Sequence, residues 1–228
     1  MQCRFTDAKY SVKILKIFSP LHSILSALVL ANCYAADPFH WGVNGHPMNQ
    51  VGYLDIPIQT QLDLVVELGA GWYRFDVTEP IFQGDTARLD TLVYEAEQRK
   101  LRLLPVLLPP ADCRSNETTT EQIRTRAAAF AKAIASRYKG RITHWELGNE
   151  YDTYALIRKG EVTRRGKLWS WDGAPDGGSP DDYDQGRWER VKAEIMGLYE
   201  GVKAADPAAL TIVNSAGWRH YGFVERLL

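Results

Sequence analysis

The feature that most constrains the fold of this 228-residue chain is a regular alternation of short apolar runs with amphipathic helical patterns. The apolar runs predict five strands, at residues 41–44, 72–77, 101–108, 142–148 and 210–213. Apolar residues at helical spacing predict four complete helices between them, and the clearest stripe is Trp188, Val191, Ile195, Leu198 and Val202. Continuous apolar strands that alternate with helices are typical of a parallel sheet covered by helices, so we predict an α/β fold.

The number of units and the loops narrow this α/β class further. No Gly-rich phosphate loop follows the first strand, which argues against a dinucleotide-binding fold. A closed barrel of eight β/α units usually needs about 250 residues. The pattern therefore predicts a partial (β/α)8 barrel of about five β/α units with parallel strands. Residues 151–187 are polar and rich in Gly and Pro, which predicts a long loop or insertion.

The first 35 residues are predicted to be a secretory signal peptide rather than part of the fold. Four basic residues come before a short apolar run, residues 17–30, and small residues end the segment at Ala35. The incomplete barrel domain would then span residues 36–228, and the protein would be secreted or periplasmic. An uncleaved membrane anchor is the alternative. A lipoprotein signal at Cys33 fits less well, because Asn32 stands where a small residue is needed.

Charge and residue counts exclude several functional classes. With 27 basic and 28 acidic residues, the chain has no basic field for nucleic acid. The histidines after the signal are scattered, which argues against zinc, and Cys113 is the single remaining cysteine. We therefore expect no cofactor, no metal, no internal disulfide and no membrane contact beyond export. The oligomeric state stays open.

Polar side chains follow the predicted strands at their carboxyl ends, where ligands bind in β/α barrels. The first, second and fifth strands are followed by Asn44 and His46, by Asp76 and Glu79, and by Asn214, Ser215 and Trp218. The third strand offers only Pro109, Pro110 and Asp112. The fourth ends in His144-Trp145-Glu146-Leu147-Gly148-Asn149-Glu150, and a period of two places Glu146 and Glu150 on one face. Glu146 would lie deeper and need a cation, for which Arg74 is the candidate. Glu150 could protonate a leaving oxygen.

Here the sequence resembles a known group of enzymes. Trp145 to Glu150 is similar to the fourth-strand signature of clan A retaining glycoside hydrolases, which ends in Asn-Glu, and residues 72–76 resemble their second strand with its active-site arginine. Gly42-Val43-Asn44 resembles their first strand. The resemblance is closest to family 39-like enzymes, without separation from family 5-like ones. It implies hydrolysis of O-glycosyl bonds in a polysaccharide or oligosaccharide substrate.

The resemblance also implies roles for individual residues. Glu150 would be the general acid/base, Asn149 would bind the sugar 2-hydroxyl, and Arg74 would support the charge of the nucleophile. The nucleophile of this clan ends the seventh strand, so we expect the chain to be a truncated form that lacks it. Further candidates for substrate binding are the polar residues Asn44, His46, Asp76 and Asn214 and the aromatic residues Trp169, Trp171 and Trp218, although packing is the alternative for the tryptophans. A non-catalytic carbohydrate-binding or vestigial half-barrel is the alternative function.

Overall fold

The computed structural model describes residues 40–84, 86–110, 112–173, 175–217 and 219–228, so the predicted signal peptide and Trp218 lie outside the described residues. Five strands are seen in this part of the chain, and they form one parallel sheet in the order β1-β2-β3-β4-β5. The strands are β1 Gly42–Gly45, β2 Trp72–Thr78, β3 Arg102–Leu108, β4 His144–Leu147 and β5 Leu210–Ile212. The predicted α/β class and the five parallel units are confirmed.

Helices connect successive strands, as the sequence pattern predicts. The long ones are α2 Ile58–Glu67, α4 Ala87–Gln98, α5 Thr120–Arg137 and α7 Gln185–Ala205. Short helices lie at α1 Val51–Leu54, α3 Glu79–Gln83, α6 Tyr151–Ala155 and α8 Tyr221–Leu227, with 3-10 turns at Asp112–Arg114 and Pro180–Asp182. None of the described helices is long and apolar enough to cross a membrane.

The two faces of the sheet have different partners. In β2, Tyr73, Phe75 and Val77 are buried in the hydrophobic core, whereas the alternate side chains of Trp72 and Arg74 are partly exposed. The helices supply the other half of the core through the predicted stripes. These include Leu89, Leu92, Val93 and Ala96 of α4, and Trp188, Val191, Ile195, Leu198 and Val202 of α7. The helix-free inner face of the sheet is therefore the face that can hold a ligand.

Two local interpretations of the sequence pattern are wrong. Thr118 and Glu121 fit the pattern of a capping box, but the box of α5 is formed by Thr119 and Gln122, one residue later. The spacing of Leu62, Val65, Val66 and Leu68 predicts one buried side of α2, but Val66 and Leu68 are exposed. Within the segment 151–187 lie helix α6 and two antiparallel bridges, Leu156 with Tyr183 and Val162 with Leu168.

The sheet is open within the described residues. Strands β1 and β5 each pair with a single neighbour there, so each has an edge without a strand partner. Large apolar side chains lie exposed beside these edges: Trp41 next to β1, and Leu210 and Ile212 in β5. A closed barrel would bury such groups.

Helices α5 and α7 pack unusually closely because α7 carries glycine at the contact. A Cβ atom on Gly201 would lie 2.3 Å from the carbonyl oxygen of Ala128, and one on Gly197 would lie 2.3 Å from that of Arg124. At these distances, a side chain at either glycine of α7 would clash with the backbone of α5. A helix backbone cannot shift at a single residue to relieve such a clash.

We expect Gly201→Ala to lower the free energy of unfolding by about 1–3 kcal/mol, because overpacking must push α5 and α7 apart. Gly186→Ala in the first turn of α7 is the matched control. Its new Cβ would meet only the Asp184 carboxylate at 3.4 Å, so helix propensity should make it neutral or stabilising by up to about 1 kcal/mol. Urea unfolding followed by circular dichroism measures both, and equal values for the two variants would contradict the close contact.

Candidate functional site

The site is built around an ion pair on the inner face of the sheet. Arg74 of β2 donates from Nε to Glu146 Oε2 at 2.6 Å and from Nη2 to Oε1 at 2.9 Å. Glu146 of β4 is only 3% exposed, so its charge requires a cation. The hydrogen bond to Glu146 is also the main reason why the pKa of Arg74 is raised. The predicted pairing of these two residues is confirmed.

Three asparagines complete the shell of this ion pair. Arg74 donates from Nη1 to Asn44 Oδ1 at 2.7 Å and from Nη2 to Asn149 Oδ1 at 2.8 Å. Asn214, which follows β5, donates from Nδ2 to Glu146 and, at 3.3 Å, to Asn149 Oδ1. Residues from β1, β2, β4 and β5 are thus joined in one network. It fixes the Asn149 amide with its oxygen toward Arg74, so the Nδ2 hydrogens remain for a ligand.

Glu150 stands at the carboxyl end of β4 in an uncommon backbone conformation. Its φ is 56° and its ψ is 36°, the left-handed region in which residues other than glycine are uncommon. Its N–H donates to Asn214 Oδ1 at 2.9 Å, and the residue is exposed. The prediction that strand alternation reaches Glu150 was wrong. Gly148, with φ at 81°, ends the extended backbone, so the position of Glu150 follows from this turn.

Two buried side chains directly after Glu150 hold this turn. A Cβ on Gly148 would lie 1.9 Å from the ring of Tyr151, so the ring packs directly on the turn. The Tyr151 hydroxyl donates to Glu194 of α7, and burial keeps the pKa of this hydroxyl well above its ordinary value. Asp152 is fully buried and accepts from the N–H of Ala216 at 2.9 Å and from His220. The turn is therefore anchored to α7 and to the loop after β5.

His46 and Asp76 form a second pair at the ends of β1 and β2. His46 Nδ1 lies 3.0 Å from Asp76 Oδ2, and its ring meets the Tyr53 ring edge-on at a centroid distance of 5.9 Å. With Nδ1–H donating to the carboxylate, a neutral His46 has Nε2 as its acceptor. Arg88 fixes the segment after β1 that carries His46 and Tyr53. It donates to the carbonyl oxygens of Pro47 at 2.6 Å and Tyr53 at 2.9 Å.

The predicted aromatic candidates lie apart from this network. Trp169 is half-buried and donates from Nε1 to the carbonyl oxygen of Gly173 at 3.0 Å. Trp171 is 63% exposed, with its ring centroid 6.4 Å from that of Trp169. Among the described residues, no hydrogen bond or ring contact joins either tryptophan to Arg74, Glu146 or Asn149. Their role as sugar platforms stays a prediction, as does that of Trp218.

The sequence reasoning missed a cavity at the ends of β3 and β4. It has a volume of about 280 Å³, and its lining includes Arg114, Asn149, Tyr151 and Glu194. Glu194 occupies a position on the otherwise apolar face of α7, which was the available signal for a buried polar group. Arg114 also follows β3 closely, but the sequence prediction for the end of this strand included only Pro109, Pro110 and Asp112. In the described part of the chain, no group of three His, Cys, Asp or Glu side chains could hold a metal ion.

Comparison with solved structures shows the fold. The family 1 β-glucosidase from Thermotoga maritima has a TM-score of 0.51 at 12% identity, over 78% of this chain and 47% of that chain. The virulence factor SghA in complex with its substrate analog salicin has a TM-score of 0.51 at 14% identity, over 76% of this chain and 46% of that chain. The AHE enzyme from Alicyclobacillus herbarius has a TM-score of 0.50 at 14% identity, over 79% and 48%.

This chain therefore spans about half the length of the (β/α)8 barrels that it resembles, and its fold is that of part of such a barrel. No protein-family model and no curated protein sequence matches it. The neighbours include family 1 β-glucosidases, so the finer resemblance to family 39-like or family 5-like enzymes stays a prediction.

Removing the cation of the central pair should destabilise the fold. We expect Arg74→Met to lower the free energy of unfolding by about 3 kcal/mol, because it leaves the Glu146 charge buried without its partner. The double variant Arg74→Met/Glu146→Gln should recover most of this loss, since no unpaired charge remains. Urea unfolding of the two single variants and the double variant gives the coupling energy. Additive effects would show that the pair contributes no coupling.

The backbone at position 150 gives a separate prediction about strain. Glu150→Gly and Glu150→Ala both remove the carboxylate and keep the N–H bond to Asn214, but only glycine accepts a positive φ without a Cβ penalty. We expect the glycine variant to be more stable than the alanine variant by about 1 kcal/mol. Thermal and urea unfolding measure this difference. A more stable alanine variant would show that the left-handed conformation is not retained in solution.

Proposed function

We propose that this protein hydrolyses O-glycosidic bonds in an oligosaccharide or polysaccharide, with Glu150 as the general acid/base. The observation that carries the proposal is the position of Glu150. It is exposed at the carboxyl end of β4, next to an Asn149 amide that accepts a hydrogen bond from Arg74 at 2.8 Å. The fold supports this reading, because ligands of β/α barrels meet the carboxyl ends of the strands. The neighbours that are named β-glucosidases share this fold.

Each of three described side chains would have a separate role in glycoside hydrolysis. The Glu150 carboxyl would give its proton to the leaving oxygen and later take one from water. Asn149, held by Arg74, would donate from Nδ2 to a hydroxyl of the sugar beside the bond that breaks. His46, held by Asp76, would accept from a second hydroxyl through Nε2. The side chains of Asn149 and His46 are fixed before the sugar arrives, which lowers the entropy lost on binding.

A retaining mechanism also needs a second carboxylate, about 5–5.5 Å from the first. On the inner face of the described sheet, Glu146 is committed to Arg74, and Asp76 is bound to His46. We therefore expect the nucleophile to come from strands beyond these five. We further propose, from the sequence of residues 1–35 alone, that the protein is exported.

The same commitment of Glu146 and Asp76 favours a second candidate, a protein that binds carbohydrate without cleaving it. The two candidates differ in one observable property. A hydrolase releases the leaving group from a glycoside. A carbohydrate-binding protein binds the glycoside, which perturbs the spectrum of the protein, but releases no product.

The proposed hydrolysis is tested with Glu150→Gln, which keeps the shape of the side chain and removes the transferable proton. In a form of the protein that includes the strand supplying the nucleophile, we expect kcat on a glycoside with a poor, alkyl leaving group to fall by about 10²–10⁴-fold. A dinitrophenyl glycoside needs no proton on its leaving group, so its first step should be far less affected. Initial rates and burst amplitudes on both substrates measure these effects.

Glu225→Gln is the matched control, because Glu225 is exposed on α8 and should leave the rates unchanged. Equal loss on both substrates in the Glu150 variant would contradict the general-acid role. Saturable binding of the glycoside without any turnover, in the form that includes the strand supplying the nucleophile, would favour the second candidate.

A further inference from the structure

We propose that the cavity at the ends of β3 and β4 takes a sugar unit with an anionic group, carboxylate or sulfate ester, and that Arg114 is its counter-ion. This inference rests on the proposed function, because the cavity shares Asn149 with the site described above. It names the substrate class of that site, an acidic saccharide.

The size and walls of the cavity fit one sugar ring. Its volume of about 280 Å³ is near the lower end of the range of ligand cavities, about 300–1,000 Å³. Leu108 and Pro109 form an apolar wall, which suits the C–H face of a pyranose ring. Asn149 adds a polar group to the lining, and its amide is already part of the Arg74 network. A ring in this cavity would therefore lie against the amide next to Glu150.

Arg114 brings a positive charge to this cavity and is not committed to a carboxylate. Its guanidinium lies 5.7 Å from the centroid of the Tyr154 ring, and this stacking orients it. Within the described residues, no hydrogen bond or ion pair joins Arg114 to an acidic side chain. By contrast, Arg137, the last residue of α5, and Arg141, in the turn that follows, are each paired with a carboxylate. The planar fork of Arg114 therefore remains for an anion that enters the cavity.

The acidic residue in the cavity lining, Glu194, is bound by other donors. Glu194 is 2% exposed, and its two oxygens already accept from the Tyr151 hydroxyl and, at 3.1 Å, from the N–H of Cys113. Burial raises the pKa of the Cys113 thiol far above its ordinary value, so this side chain stays neutral.

The experiment compares three probes that differ only at C6: methyl β-glucoside, methyl β-glucuronide and methyl β-glucoside 6-sulfate. Binding to the 228-residue chain is measured by titration of its ¹⁵N-labelled amide resonances. We expect one or both anionic probes to bind at least about tenfold more tightly than the neutral glucoside. A preference for the carboxylate alone indicates bidentate recognition of a uronate, and an equal preference for the sulfate indicates recognition by charge.

Variants at Arg114 decide whether this residue is responsible. Arg114→Gln should reduce the preference to less than about twofold, while Arg114→Lys, which keeps the charge, should retain part of it. Arg158→Gln is the control, because Arg158 is an exposed arginine that does not line the cavity. Dispersed amide spectra show that each variant is folded.

The outcomes separate this inference from the proposed function. If all three probes bind equally, or if Arg114→Gln keeps the preference, the acidic-sugar assignment is overturned while carbohydrate binding stands. If none of the probes binds to the parent chain, the proposed function fails as well.

Discussion

The candidate site depends on one buried carboxylate and the arginine that neutralises it. Glu146 is almost fully removed from water in the middle of the sheet, where a single charge is costly. Arg74 compensates this cost with a bidentate contact, and its remaining nitrogen reaches Asn44. The ion pair thus joins β2 to β4, two strands that are far apart in the chain, and Asn44 adds β1 to the same network. The amide of Asn149 is oriented by the same guanidinium.

The exposed Glu150 is positioned by its backbone, whereas the buried Glu146 is positioned by its side-chain contacts. Glu150 has no side-chain partner that fixes it among the described residues, but the backbone around it is anchored on both sides. Asn214 accepts from its N–H, and the next two residues, Tyr151 and Asp152, are tied to α7 and to the loop after β5. The turn therefore keeps a strained conformation while the carboxylate remains free to meet a ligand. Strain that persists under such anchoring is common where a residue acts on a substrate.

Periodicity in the sequence was sufficient for the elements but not for the site. Stripes such as Leu89, Leu92, Val93 and Ala96 predict a helix and its buried face, because burial and spacing have the same cause. The charged partner of Glu146 was also within reach, since a buried acid requires a cation. The left-handed turn at Glu150 was not, because it arises from the packing of Tyr151 on Gly148. The cavity with Arg114 and Glu194 depends on contacts between β3, α6 and α7, and no local pattern encodes those.

The edges of β1 and β5, which have no strand partner in the described part of the chain, have a consequence for the protein in solution. Trp41 beside β1, and Leu210 and Ile212 in β5, add exposed apolar surface to the two strands that pair with a single neighbour within the described residues. A formal net charge of −1 provides almost no electrostatic repulsion between molecules. Association between molecules in solution will therefore depend mainly on the apolar surface at these two sheet edges. Because there is little charge repulsion to screen, added salt will change this association little.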